Sequence, residues 1–129
     1  MNKEIPRPTD AELEILQVLW QRGPSTVREV QEELIQTRQT GYTTVLKFMQ
    51  IMTEKGLVRR DESQRAHVYQ ACLPQDQTQR QLIGDLLDKA FEGSAAKLVM
   101  QALASKRASS TDLLEIRKLL DEYEVTGNK

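Results

Sequence analysis

The chain has 129 residues, 29% of them charged and 39% hydrophobic, with a net charge of −1 at neutral pH. That composition suits a globular chain of one domain, or a small domain with an appendage, and excludes a low-complexity or disordered one. No apolar run approaches the length of a membrane span, the segment Met1–Pro8 lacks the apolar core of a signal peptide, and the single cysteine, Cys72, has no disulfide partner in the chain. A cytoplasmic protein without membrane insertion is the expectation.

The spacing predicts a first helix opening at Thr9, three residues before Glu12. There the threonine oxygen can accept from a free backbone N–H while the glutamate reaches back. Leu13, Leu16 and Trp20 then share a face, widened by Ile15 and Leu19, and Gly23-Pro24 ends the segment. Ser25 or Thr26 opens a second helix, with Thr26 and Glu29 again in capping-box spacing and Val27, Val30 and Leu34 on its apolar stripe. The acidic residues of these two helices read as solvated faces. A polar link, Gln36 to Gly41, leads to a third helix whose apolar positions are Val45, Phe48, Met49 and Met52. Gly56 is its expected left-handed C-cap.

The period then changes. Leu57–Arg60 and Ala66–Ala71 read as two short strands around a polar turn, Asp61–Arg65. Three short helices and one hairpin make a winged helix-turn-helix, expected over residues 1–73. Pro74 begins a different region, residues 74–129. It carries three amphipathic helices with apolar positions at Leu82, Ile83, Leu86, Leu87, Ala90 and Phe91, then Leu98, Val99, Ala102 and Leu103, then Leu113, Ile116, Leu120 and Tyr123. Ser94 and Ser109 are the expected caps of the last two. The fold class is therefore mainly α with a small β-hairpin, a winged helix followed by a three-helix region. About fifty residues in three helices offer too little mutual surface for a core of their own. They either fold back on the first domain or pair with a second copy. A DNA-binding dimer needs such a coupling element, so Leu82, Leu86, Leu98, Val99, Leu103, Leu113, Ile116 and Leu120 are the expected dimerisation residues.

The charges are uneven: residues 1–40 carry five basic and seven acidic side chains, residues 41–73 five and three, and residues 74–129 eight and nine. The only net positive stretch thus coincides with the third helix and the hairpin. On the outer face of that helix lie Thr43, Leu46, Lys47, Gln50 and Glu54. Gln can pair with adenine, Lys with guanine or phosphate, and Leu46 can touch a thymine methyl. Tyr42, Thr43 and Thr44 stand where free helix N–H groups favour phosphate. The hairpin offers Arg59, Arg60 and Arg65 to phosphate or the minor groove, with Arg65 the best placed and Arg59 and Arg60 equally able to pair with Asp61 or Glu62. A charged edge that blocks aggregation is the competing reading of these arginines.

Catalytic and metal readings have little to stand on. His67 is the only histidine and Cys72 the only cysteine, too few ligands for a zinc or copper site, and no phosphate loop or nucleophile elbow is present. Neither an enzyme nor a cofactor is expected. A winged helix that binds protein, or a ligand-responsive regulator with a pocket between two domains, are the other classes compatible with the near-neutral charge.

Five segments in combination, Pro8–Leu16, Val18-Leu19-Trp20, Thr26–Val30, Tyr42–Leu46 and Glu54–Val58, resemble the penicillinase repressor (BlaI/MecI) family over about residues 5 to 124. The resemblance implies a dimeric repressor of inverted-repeat operators, often with TACA/TGTA cores. It implies base contacts from Thr43, Thr44, Lys47 and Leu46, and phosphate contacts from Ser25 and Thr26. It also implies release after a β-lactam triggers a membrane-bound sensor-protease. The cleavage position falls at Gln101-Ala102, where this chain departs from the Asn–Phe pair of better-known members. It also lacks the Cys-x-Cys pairs of copper-responsive relatives and the third-helix arginines that some members carry.

Overall fold

The computed structural model describes residues 5–126. In chain order it contains α1 (Asp10–Arg22), β1 (Ser25–Thr26), α2 (Val27–Leu34), α3 (Tyr42–Lys55), β2 (Val58–Asp61), β3 (Val68–Ala71), α4 (Gln75–Ala90), α5 (Ala95–Ala104) and α6 (Ser110–Val125). Two compact units meet between Gln81 and Leu82, inside α4. The sequence had suggested a change of region at Pro74, just ahead of that helix.

The first unit begins with local chemistry. Thr9 Oγ1 accepts from the Glu12 N–H at 3.2 Å, and Glu12 Oε1 accepts from the Thr9 N–H at 2.9 Å. The same reciprocal pair joins Thr26 and Glu29 at the start of α2. Gly56 closes α3 at φ +86°, a left-handed conformation that costs a residue with a Cβ but not glycine. Val58 and Asp61 pair with Ala71 and Val68 to form the hairpin. One strand was not expected from the pattern: Ser25 and Thr26 pair with Tyr69 and Val68, giving an antiparallel sheet of order β1-β3-β2. The first strand of the hairpin is displaced one residue from its predicted bounds, and the second begins at Val68 rather than Ala66.

The core of this unit is Ile15, Leu16 and Leu19 of α1, Val27, Val30 and Leu34 of α2, Val45, Met49 and Met52 of α3, then Leu57, Val58 and Tyr69. Leu13, Trp20 and Phe48, expected at the centre of their stripes, are only partly buried and pack around its edge. Trp20 stays at the edge for a reason: its indole N–H donates to the Leu73 carbonyl at 3.0 Å, fastening the chain after β3 to α1.

Glu12 corrects the expectation of solvated acidic faces. It is 3% exposed. Lys55, at the end of α3, donates to it at 2.6 Å and to the Arg7 carbonyl at 3.2 Å. Burial acts to raise the Glu12 pKa, but the Lys55 hydrogen bond and charge and the Thr9 hydrogen bonds outweigh it and hold it below its ordinary 4.5. A depressed carboxylate stabilises the fold above its unfolded-state pKa, and that contribution is lost as pH falls through the lower folded value. Lys55→Met should therefore cost about 1–3 kcal/mol near neutral pH by leaving a buried carboxylate without its cation. The gap from the parent should narrow as pH falls below about 4.5, where Glu12 takes up a proton. Urea melts of both proteins at pH 7 and pH 4 check it, and a pH-independent difference would contradict the pairing.

In the second unit, α5 and α6 contain no buried residue. Their caps are the expected ones: Ser94 Oγ accepts from the Lys97 N–H, and Ser109 forms a capping box with Asp112. Val99, Leu103, Leu113 and Leu120, all expected at an interface, are 38–58% exposed, as are Leu114, Leu119 and Tyr123 beside them. No described helix is long and apolar enough to cross a membrane.

Candidate nucleic-acid interface

The site is built around the start of α3. Val45, Met49 and Met52 are buried, which fixes the rotation of the helix. That rotation leaves Thr43, Lys47 and Gln50 exposed on the opposite side, with Tyr42 and Thr44 exposed on its two flanks. Leu46 falls between the two faces, half-buried and packed against the core. The helix starts at Gly41, which supplies no side-chain cap, whereas Ser or Thr oxygens cap α1, α2, α5 and α6. The amides of Tyr42, Thr43 and Thr44 thus keep their hydrogen-bonding capacity and the positive end of the helix dipole.

A groove runs beside this helix start. It is lined by Thr26 of β1, Arg28 from α2, Tyr42 and Leu46 from α3, and Arg65 and His67 from the turn between β2 and β3. The turn is ordered by Asp61, whose Oδ1 accepts from the Ser63 N–H at 2.9 Å; that bond also holds the Asp61 carboxyl below its ordinary pKa.

Within the first unit the cations divide into two sets. Arg22 pairs with Glu29 and Glu33, Arg38 with Glu14, Lys55 with Glu12, and Arg80 with Asp76. Arg60 donates to Glu62 at 2.7 Å. The Tyr69 hydroxyl, on the strand directly opposite, and the Glu62 carboxylate both raise the Arg60 pKa further. Arg28, Lys47, Arg59 and Arg65 have no acidic partner among the described residues. Three of these four stand on the groove or beside it on α3. A chain of net charge −1 thereby presents unneutralised positive charge on one face.

Two expected contacts need correction. Ser25 is fully buried, because β1 adds to the sheet there, and its hydroxyl donates to the Gly23 carbonyl at 2.8 Å; its side chain cannot reach a phosphate. Arg60 is engaged by Glu62, which leaves Arg59 and Arg65 as the wing cations without an acidic partner among the described residues, and of these Arg65 lines the groove. Thr26 lines the groove, but its hydroxyl already caps α2. Arg28 and His67 were not assigned a role from the sequence. The signal for Arg28 was available: an arginine in the first turn of a helix sits at the wrong end of the dipole. Gln101 and Ala102 lie within α5, both exposed. Among the described residues no group of His, Cys, Asp and Glu could hold a metal ion.

Three helices, a three-stranded sheet and a basic helix start beside a hairpin define a winged-helix protein. A family model described as "Penicillinase repressor" matches residues 8–122, and the chain belongs to that family of transcriptional repressors, which are not enzymes. It is 24% identical over 121 residues to the penicillinase repressor of Bacillus licheniformis, covering 94% of each chain. It is 31% identical over 128 residues to the transcriptional regulator BlaI of Mycobacterium tuberculosis, covering 98% of this chain and 92% of that one. Among solved structures, the B. licheniformis BlaI monomer in complex with the blaP half-operator matches at a TM-score of 0.50 and 28% identity, over 58% of this chain and 92% of that one.

Proposed function

We propose that this chain represses transcription by binding an inverted-repeat DNA operator as a homodimer, in the cytoplasm. The observation that carries the reading is the coincidence of an uncapped α3 N-terminus with Arg28, Lys47 and Arg65, which have no acidic partner among the described residues. In this reading α3 enters the major groove, Thr43, Thr44, Lys47 and Gln50 reach base edges, the exposed part of Leu46 meets a thymine methyl, and Arg65 anchors the wing. The half-operator complex of the B. licheniformis relative supports operator DNA as the partner. The exposed leucines of α5 and α6 support a second copy as the partner of the second unit.

Release by a sensor-protease, the mode implied by the family, would act on the Gln101–Ala102 bond. Helical backbone does not fit a protease cleft, so cleavage there requires α5 to unwind first.

Fluorescence anisotropy with duplex DNA from the promoter upstream of the chain's own gene tests the reading. The expected result is binding to the native duplex far tighter than to a scrambled one, with affinity falling steeply with salt. Salt-independent or absent binding to every duplex, including ones selected from random sequence, would turn the assignment towards a protein partner.

A further inference from the structure

We infer that Arg28 is the sequence-independent anchor of this protein on DNA, seated on Tyr42 and gripping a backbone phosphate in the groove between α3 and the wing. The inference rests on the operator-binding reading and adds to it a residue that the sequence pattern did not single out.

Four observations converge. Arg28 is the second residue of α2, where the helix dipole is positive and a cation destabilises the helix start. A carboxylate would be the ordinary occupant of such a position, and an arginine there calls for an anion from outside the chain. Next, no carboxylate among the described residues pairs with Arg28: Glu29 accepts from the Thr26 N–H at 2.9 Å and pairs with Arg22 at 3.3 Å, and Glu32, one turn along α2, forms no ion pair with it. Third, its guanidinium carbon lies 5.4 Å from the centre of the Tyr42 ring. That contact leaves the guanidinium N–H edge available while restricting where the side chain points. Last, Arg65 and His67 face the same groove, whose volume is about 340 Å³, ample for a phosphate group. Guanidinium groups suit phosphate because two parallel N–H donors match two oxygens.

Tyr42 is then a positioning residue: its ring holds Arg28 on the side of α3 along which the DNA backbone would run. A phosphate contact carries no sequence information, so Arg28 should contribute equally to every duplex.

The experiment is anisotropy with the native promoter duplex and its scramble across a salt series, on the full chain. Arg28→Ala should weaken both duplexes by the same factor, roughly tenfold at low salt, and reduce the slope of log affinity against log salt by about 0.9. Its melting temperature should stay close to the parent's, since removing an unfavourable charge from the helix start offsets the loss of the Tyr42 contact. Arg28→Lys should restore the slope but only part of the affinity, because a point charge replaces a bidentate fork. Tyr42→Leu should weaken binding in the parent and add little in the Arg28→Ala background. Parent protein that binds both duplexes while Arg28→Ala matches it in affinity and slope would overturn the anchor. So would a loss confined to the native sequence, which marks a base contact. Parent protein that binds no duplex would instead overturn the operator reading, and the anchor with it.

Discussion

Leu120→Asp should convert the protein to a monomer and weaken binding to a two-half-site operator by about 10²–10⁴-fold, with affinity for a single half-site nearly unchanged. The argument turns on exposure. In the single chain Leu120 is 58% exposed on α6, a helix with no buried residue. A polar substitution at such a position is ordinarily neutral within about 0.5 kcal/mol. Only a partner that buries the leucine can make aspartate costly, since the charge must then lose its water. The same logic covers Leu113, Val99 and Leu103, while Ile116 lines an intrachain groove with Ala102 and Leu103 and is a less clean probe. Light scattering gives the mass, and anisotropy with full and half operators gives the coupling. A folded Leu120→Asp protein that remains dimeric would remove α6 from the interface. Unchanged affinity for the full operator in a proven monomer would show that the half-sites are read independently.

The sequence was most informative where structure is decided by neighbours a few residues apart. Thr9–Glu12, Thr26–Glu29, Ser94 and Ser109–Asp112 all cap as their spacing indicated, because a capping box needs only its own helix turn. The rotation of α3 was equally readable, since three buried positions fix which side faces outward. What escaped was decided at long range. Two residues, Ser25 and Thr26, carry no strand signal, and their pairing with Tyr69 and Val68 exists because the fold brings a hairpin alongside. That pairing buries Ser25 and removes it from any surface role. Glu12 looked solvated because its partner Lys55 lies 43 residues away.

The candidate interface follows the same division. Thr43, Lys47 and Gln50 were legible as one helix face. Arg28 was not, because its contact with Tyr42 joins two helices separated by a polar link. Net charge misled for a related reason. It sums over the chain, whereas a phosphate senses only cations not already neutralised, and Arg22, Arg38, Lys55, Arg60 and Arg80 are each spoken for by a carboxylate.

Lys47→Ala should produce the complementary signature to Arg28→Ala: a fall of about 10–100-fold on the native operator, the equivalent of one good base contact, and a much smaller fall on scrambled DNA. Lys47 is exposed on α3 and has no acidic partner among the described residues, so its removal leaves the core of Val45, Met49 and Met52 intact. The melting temperature should stay within about a degree of the parent's, because a solvated lysine contributes little to folding. Gln50, one turn further along the same face, should behave in the same way, and losses at the two positions should be additive if they read different base pairs. The ratio of native to scrambled affinity is the quantity to compare, at one salt concentration for all variants. An equal loss on both duplexes would reassign Lys47 to the phosphate backbone. No loss on either would mean that α3 does not enter the major groove. Arg28 and the wing would then have to bind DNA without it, a geometry in which sequence could be read only through the shape of the duplex.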